Sequence, residues 1–349
     1  MVSIQARSDV APPEVAMLRL LLDDPRCDPD DLDWSVLQSI AEKEGLLMRL
    51  AAWFERRHEP VPEPLATSVA RARERQTWLL SLVGRIEERC ARHEIQHVFL
   101  TVTSHYPDIG RDVDLLVTGR PEDVDAVLLD WSIQPPERRN LRSRLAATTA
   151  YPIAECDASL VVHHGRLGRL GEHGRFAWQL LRRRRRIRLA EVSWTAPSCE
   201  HALILQALYR LYGRPALRLR DAHWAITTLR QGSFDWDDLM AAARSAGVMA
   251  GLSCYLEYIE QIHRQVMGKP LLPLYVRERL AAGAWGRVQL RDGQYRFPAT
   301  RVTGGLYLRE FVADVAAGNW EAASRLFFLP VLAASASVQR LTQTPAGAR

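Results

Sequence analysis

The sequence predicts an α+β protein: a small mixed-sheet module at residues 94–196 between a helical N-terminal domain at 1–93 and a mainly helical C-terminal domain at 197–349. Three observations lead there. Apolar residues recur at helical spacing on both flanks, and short β-branched runs take over between Ile95 and Leu170. At the centre stands Asp112-Val113-Asp114-Leu115-Leu116-Val117, two carboxylates opening an apolar run.

In chain order, residues 14–92 read as helices. One helix is expected from Trp34, capped by Asp33, through Val36, Leu37, Ile40, Leu47 and Leu50 to Phe54. Glu59-Pro60-Val61-Pro62-Glu63-Pro64 reads as a stiff connector, because proline lacks the N–H that continues a helix. Leu79, Leu82, Val83, Ile86 and Cys90 then form one face of a further helix. Strands are expected at 97–100, 113–117, 153–156 and 160–163, and Pro121 starts a short helix that turns Val124, Val127 and Leu128 to the sheet. Beyond, Ser198 caps a helix ending near Gly213, a second runs from Leu217 to Gly232, and Asp235 opens a third. Residues 268–310 read as less regular, with a hairpin turning at Asp292-Gly293, and 341–349 as a frayed tail.

Composition sets bounds. With 47% hydrophobic and 25% charged residues, the 349-residue chain has ample core material. A net charge of +5 is a weak pointer to polyanionic partners. The cysteines, Cys27, Cys90, Cys156, Cys199 and Cys254, are odd in number and widely spaced, against a disulfide framework or zinc site and for a reducing, cytoplasmic setting. The N-terminus has no apolar leader, and the longest membrane candidate, 326–338, is broken by Pro330, so no export and no membrane insertion are expected. There is no G-x-S-x-G, Walker loop or G-x-G-x-x-G following a strand, so serine-hydrolase, P-loop and Rossmann chemistry lack their motifs.

Chemistry concentrates at Asp112 and Asp114. Alternate residues of a strand project to one face, so the two carboxylates point the same way. Such a pair suits a hard cation such as Mg2+ or Mn2+, which keeps its other positions for water and phosphate oxygens.

The stretch from Phe99 to Val117 resembles the signature of the nucleotidyltransferase superfamily, in particular a bacterial family of uncharacterised nucleotidyltransferases. That pattern runs strand, Lys-Gly, short helix, Arg-bearing turn, Asp-hydrophobic-Asp-Leu-Leu-Val. The helical lead-in, the strand at Leu160–Val161–Val162–His163–His164 and the helical stretch from Ser198 past Asp221 follow in the family's order, so the resemblance covers about residues 15–250. It implies transfer of a nucleotidyl group from a nucleoside triphosphate, with Mg2+ or Mn2+, to a small-molecule or protein acceptor. Asp112 and Asp114 match the metal-binding aspartates. His163, on the second active-site strand, is a candidate base, phosphate donor or ligand. A third carboxylate is sought in Asp157 or Glu155.

Two departures are visible. Thr101-Val102 stands where the family has Lys-Gly, leaving the hydroxyls of Thr101, Thr103 and Ser104, with Arg111, to meet the nucleotide. Val161 stands where the family's second strand carries an acid. Two alternatives follow: a degenerate fold that binds or scaffolds without catalysing, and adenylate-forming activation of a carboxyl group for amide or ester synthesis. Outside this region, Arg182 to Arg186 with Arg188, beside Phe176, Trp178 and Trp194, reads either as a nucleic-acid surface or, the favoured reading, as a solvated helix end. Asp221 reaches the cleft or pairs with Arg218 or Arg220 at the surface.

Overall fold

A computed structural model describes residues 11–130, 132–136, 141–154, 158–189, 191–213, 216–231, 234–280 and 285–328. The chain opens with four helices, α1 (Pro13–Leu21), α2 (Trp34–Glu44), α3 (Leu47–Arg56) and α4 (Glu63–Arg92). Asp33 caps α2 as expected, its carboxylate accepting the N–H groups of Ser35 and Val36. The single helix expected over 34–54 is instead two. Gly45 adopts φ +68°, a left-handed conformation that ends α2, and Leu46 N–H bonds back to Ala41 O at 2.8 Å. The proline connector is shorter than expected, because Pro64 is tolerated in the first turn of α4, where its missing N–H costs nothing.

The central module holds β1 (His97–Phe99), α5 (Val102–His105), β2 (Asp112–Val117), α6 (Pro121–Leu128), α7 (Leu141–Ala146), β3 (Thr148–Ile153) and β4 (Ala158–His164). The sheet order is β1-β2-β4-β3, with β2 and β4 parallel and the outer pairs antiparallel, which makes the fold α+β with a small mixed sheet. The third strand lies at 148–153 rather than at 153–156. Pro152 argues against a strand in the sequence, yet β3 is at the end of the sheet order, where a missing N–H is accommodated. Glu155, Cys156 and Asp157 lie outside the described residues.

After α8 (Gly174–Arg182), the arginine run enters a hairpin of β5 (Arg185–Leu189) and β6 (Val192–Ala196). Its six arginines are exposed, as expected of a solvated surface. Of the three neighbouring aromatics only Trp178 is exposed, while Phe176 and Trp194 are core residues, so the stacking surface the sequence suggested has one ring and not three.

The C-terminal part comprises α9 (Cys199–Leu211), β7 (Ala216–Leu217), α10 (Leu219–Leu229), α11 (Trp236–Ala246), α12 (Met249–Met267), α13 (Leu274–Arg279), β8 (Gln289–Arg291), β9 (Gln294–Arg296) and α14 (Ala299–Ala316). The β8–β9 hairpin turns at Asp292 and Gly293, both with positive φ. Leu217, expected to begin a helix, pairs with β9 as part of β7, and α14 orders a region expected to be irregular.

The mixed sheet is covered on both faces. Phe99, Val113, Leu115, Val117 and Val162 meet Leu82 and Ile86 of α4 and Val124 of α6. Val98, Leu100 and Leu116 join the larger core, which also takes in Leu18 of α1, Leu50 of α3, Leu205 of α9 and Tyr258 of α12. Helix α4 contributes to both, with Leu65 and Val69 in the larger core and Leu79 onward in the sheet core. Buried Glu87 ties it to two strands, accepting from Thr195 N at 2.9 Å and bonding His97 Nε2 at 2.8 Å. Among the described residues no helix is long and apolar enough to cross a membrane.

One buried ion pair joins the N-terminal helices to the loop ahead of β2. The Asp108 carboxylate accepts Met48 N–H at 2.7 Å, Arg49 N–H at 3.2 Å and Arg49 Nη1 at 3.0 Å, closing the N-terminus of α3. Arg49 Nη2 donates onward to the carbonyls of Ser104 and Tyr106, at 3.2 and 2.8 Å. Removing one member strands the other charge in the interior. The Asp108→Ala variant is expected to lose about 3–5 kcal/mol of unfolding free energy in urea titrations, against a small change for a surface control such as Asp123→Ala.

Candidate functional site

A cleft of about 750 Å³ opens between the start of β2, the loop around Gly110, the α2–α3 corner and helices α9 and α10. Asp112 and Asp114 share one face of β2 with Leu116, and at their end of the strand the helical cover gives way to this cleft. Of the residues the sequence singled out, Thr101, Ser104, Arg111, Asp112, Asp114 and Asp221 line it, together with Arg218 and Arg220.

Asp114 is held from two sides. Its Oδ2 accepts the Thr101 hydroxyl at 3.2 Å and its Oδ1 meets His163 Nε2 at 3.1 Å. Burial acts to raise the Asp114 carboxyl, but the hydrogen bonds and charge from His163, with the Thr101 bond, outweigh it and hold the group below the usual carboxylate value. Asp112 is exposed, and its Oδ1 accepts the Ser159 hydroxyl at 3.2 Å. In the parallel β2–β4 register Asp112 faces Ser159, Asp114 faces Val161 and Leu116 faces His163. The place beside Asp114 on the neighbouring strand is therefore valine.

Thr103 is not brought to the cleft. Its hydroxyl accepts the Trp194 indole N–H at 3.1 Å, fastening α5 to β6. Ser104 lines the cleft, with its hydroxyl donating to Thr101 O at 3.2 Å. Asp157 lies outside the described residues. Among the described residues no group of three or more His, Cys, Asp or Glu side chains is arranged to hold a metal ion. A two-carboxylate pair with Asp114 ionised still fits a hard cation that brings most of its ligands with it as phosphate oxygens and water.

No protein-family model and no curated protein matches the chain. The site is therefore read from its own residues.

The same cleft is lined by arginines brought together from helices α4, α9 and α10 and the residue ahead of α10. Asp221 of α10, buried to 1% exposure, pairs with Arg210 of α9 at 2.6 Å, and Arg220 Nε lies 3.8 Å from the same carboxylate. Burial drags the Asp221 carboxyl upward, but Arg210 and Arg220 overcome it and keep the acid ionised. Asp221 is thus both cleft wall and ion-pair partner, with Arg210 in place of the expected Arg218. Because Arg210 occupies Asp221 most closely, the Arg220 guanidinium carries its charge into the cleft. Burial pulls that guanidinium down to about 10, which leaves it protonated at neutral pH. Two glycines make its seat. A Cβ on Gly45 would lie 3.1 Å from Arg220 Nη1, and one on Gly110 3.6 Å. Arg75 and Arg218 complete the wall, and Nε and Nη2 of Arg75 find no hydrogen-bond partner among the described residues. The arrangement sets carboxylates on one side and guanidinium groups on the other, which suits a polyphosphate bridging a cation and a cationic wall.

Arg75, Arg210, Tyr209 and His105 carry no motif of their own, being distant in sequence or at positions where helix-face and core readings explain them equally well. His105, on α5, faces this cationic wall, and burial together with Arg220 and Arg210 pulls its imidazole down to about 3.

Two expectations follow. Between about pH 6.5, the unfolded-chain value, and about 3, the unfolded chain binds a proton at His105 that the folded protein does not. Folding stability therefore falls as pH falls through that window, and His105→Asn should flatten this part of the profile in urea midpoints measured across pH. Gly45→Ala forces a side chain into left-handed backbone and against Arg220, so it should lower stability by about 1–2 kcal/mol in urea titrations and weaken polyphosphate binding in calorimetric ones.

Proposed function

We propose that the protein is a metal-dependent nucleotidyltransferase that moves a nucleotidyl group from a nucleoside triphosphate to a small-molecule or protein acceptor, with Mg2+ or Mn2+ bound by Asp112 and Asp114. The observation that carries it is the pairing, across one cleft, of two same-face aspartates on β2 with the Arg75, Arg218 and Arg220 wall.

In this reading Asp112 and Asp114 hold the cation, which when bound neutralises the charge that builds on the phosphates during transfer. Thr101 and His163 fix the Asp114 carboxylate so that it need not reorganise. Arg75, Arg111, Arg218 and Arg220 take the phosphates, supplying by side chain what the missing Lys-Gly turn supplies by backbone. With Asp114 ionised, His163 Nε2 is the donor in their bond, and in the neutral ring the lone pair at Nδ1 can take the proton of an acceptor hydroxyl. His105, held neutral beside the arginines, adds a polar contact without adding charge. A reducing, cytoplasmic setting fits this reading, supported by the free thiols of Cys27, Cys90, Cys199 and Cys254 among the described residues and by the need for nucleoside triphosphate.

A second reading has its own support. Val161, opposite Asp114, removes an acid that would help to activate a nucleophile, and fits a protein that binds nucleotide without turning it over.

Calorimetric titration with ATP, CTP, GTP and UTP, with and without Mg2+, tests both. At least one nucleotide should bind only with the metal, and Asp112→Asn or Asp114→Asn should weaken it about tenfold or more. Silence on all four overturns both readings. Metal-dependent binding without pyrophosphate release in the presence of acceptors selects the second.

A further inference from the structure

A second cavity, of about 300 Å³, adjoins the main cleft. Leu205, Tyr209 and Gly213 line both. His163 stands at the junction: it lines the second cavity while its Nε2 is bonded to Asp114, which lines the first. The His163 side chain is buried, and its Nδ1 has no hydrogen-bond partner among the described residues. The Tyr209 hydroxyl at the same partition is also buried and has no hydrogen-bond partner among the described residues. A buried polar atom left unsatisfied is costly, and two of them at one partition mark a place where a ligand is expected to complete the bonding.

The walls describe what that ligand is. Leu167, Leu208 and Tyr212 make an apolar body. Among the described residues no aspartate or glutamate lines the cavity, and its exposed cation is Arg169, which forms no salt bridge with any of them. Thr148 stands directly across the β3–β4 pair from His163. Apolar walls, an arginine and an imidazole with a buried, unpartnered nitrogen fit a small hydroxy acid: hydrocarbon between the leucines, carboxylate at Arg169, hydroxyl toward Nδ1.

We propose that this cavity is the acceptor pocket, and that it takes a small, predominantly apolar hydroxy acid whose hydroxyl faces His163. The inference rests on the nucleotidyl-transfer reading and names the acceptor class for it. In the transfer the hydroxyl oxygen bonds to the α-phosphorus, the bond from that phosphorus to the bridging oxygen breaks, and pyrophosphate leaves with the electron pair. The hydroxyl proton passes to His163 Nδ1.

The test is binding of a panel of aryl and alkyl hydroxy acids, with matched acids lacking the hydroxyl and matched alcohols lacking the carboxylate, followed by ligand-observed NMR and calorimetry. Hydroxy acids should bind saturably and better than either matched set. Arg169→Glu should weaken them about tenfold and leave the alcohols unaffected. Thr148→Phe, which fills the cavity beside His163, should abolish binding of all three sets. Neither variant should alter metal-dependent nucleotide binding, and pyrophosphate release should require the hydroxy acid. If no hydroxy acid binds, or if Arg169→Glu binds them as the unaltered chain does, the acceptor pocket is wrong. Because Arg169 is at the surface, that arm holds even if Thr148→Phe fails to fold. Nucleotide binding without hydroxy acid binding overturns the pocket alone, whereas hydroxy acid binding that depends on Arg169, without any nucleotide binding, supports the pocket and overturns nucleotidyl transfer.

Discussion

The buried ion pair between Arg49 and Asp108 is the constraint on which the rest of the cleft depends. Residues 100–111 contain little regular structure beyond the single turn α5, yet they carry Thr101, Ser104, His105 and Arg111 into one wall. Such a segment holds its shape only if its polar groups are satisfied from outside. Arg49 does this by donating to the carbonyls of Ser104 and Tyr106 while pairing with Asp108, and Asp108 in turn closes the N-terminus of α3. A buried pair of this kind contributes modestly to net stability, because desolvation offsets much of the attraction. Its value lies in the cost of breaking it, since pulling the loop away from α3 would leave both charges buried and unpaired.

A second tie acts on the opposite wall. Glu44, at the end of α2, accepts Leu219 N–H at 3.0 Å and so anchors the start of α10, the helix that carries Arg220 and Asp221. Helix α2 must stop at Gly45 for this to happen, and the same break both starts α3 at Asp108 and leaves room for the Arg220 guanidinium. One left-handed residue thus serves two walls. The charges of the cleft are separated by the same scaffold: Asp108 and Asp221 are neutralised by Arg49 and Arg210, so the groups left facing the space are Asp112 and Asp114 on the sheet and arginines across from them. Opposite charges held apart, rather than collapsed into pairs, are what a ligand carrying both a cation and phosphates can bridge.

Much of the local structure was legible in the residue order, because its signals are short-range. Asp33, Ser198 and Asp235 cap helices α2, α9 and α11 by side chains only two or three residues from the N–H groups they accept. The Asp112–Val117 strand and the Asp292-Gly293 turn likewise follow from alternation and backbone preference. The errors have an equally physical origin. Gly45 inside an apolar helical pattern did not look like a stop, since a glycine is tolerated in mid-helix at modest cost. β3, with Pro152 inside it, lies earlier than the expected 153–156, and tolerance for that proline depends on the strand's place in the sheet order. The β5–β6 hairpin was hidden by arginines whose charge outweighs their local conformational signal.

The sequence by itself determined the α+β class, the same-face spacing of Asp112 and Asp114 and the apolar Val161-Val162 run of the neighbouring strand, since each depends on residues within one strand or one turn. Only the tertiary structure decided which partners they meet. It turned Thr103 away to Trp194, brought His163 to Asp114 from 49 positions along the chain, and drew Arg75 of α4 and Arg210, Arg218 and Arg220 from the far end of the fold into one wall. The physical reason is that strand register and helix packing are chosen by the burial of the whole core, so a side chain's distant neighbours are set by the apolar residues around it and not by its own local pattern.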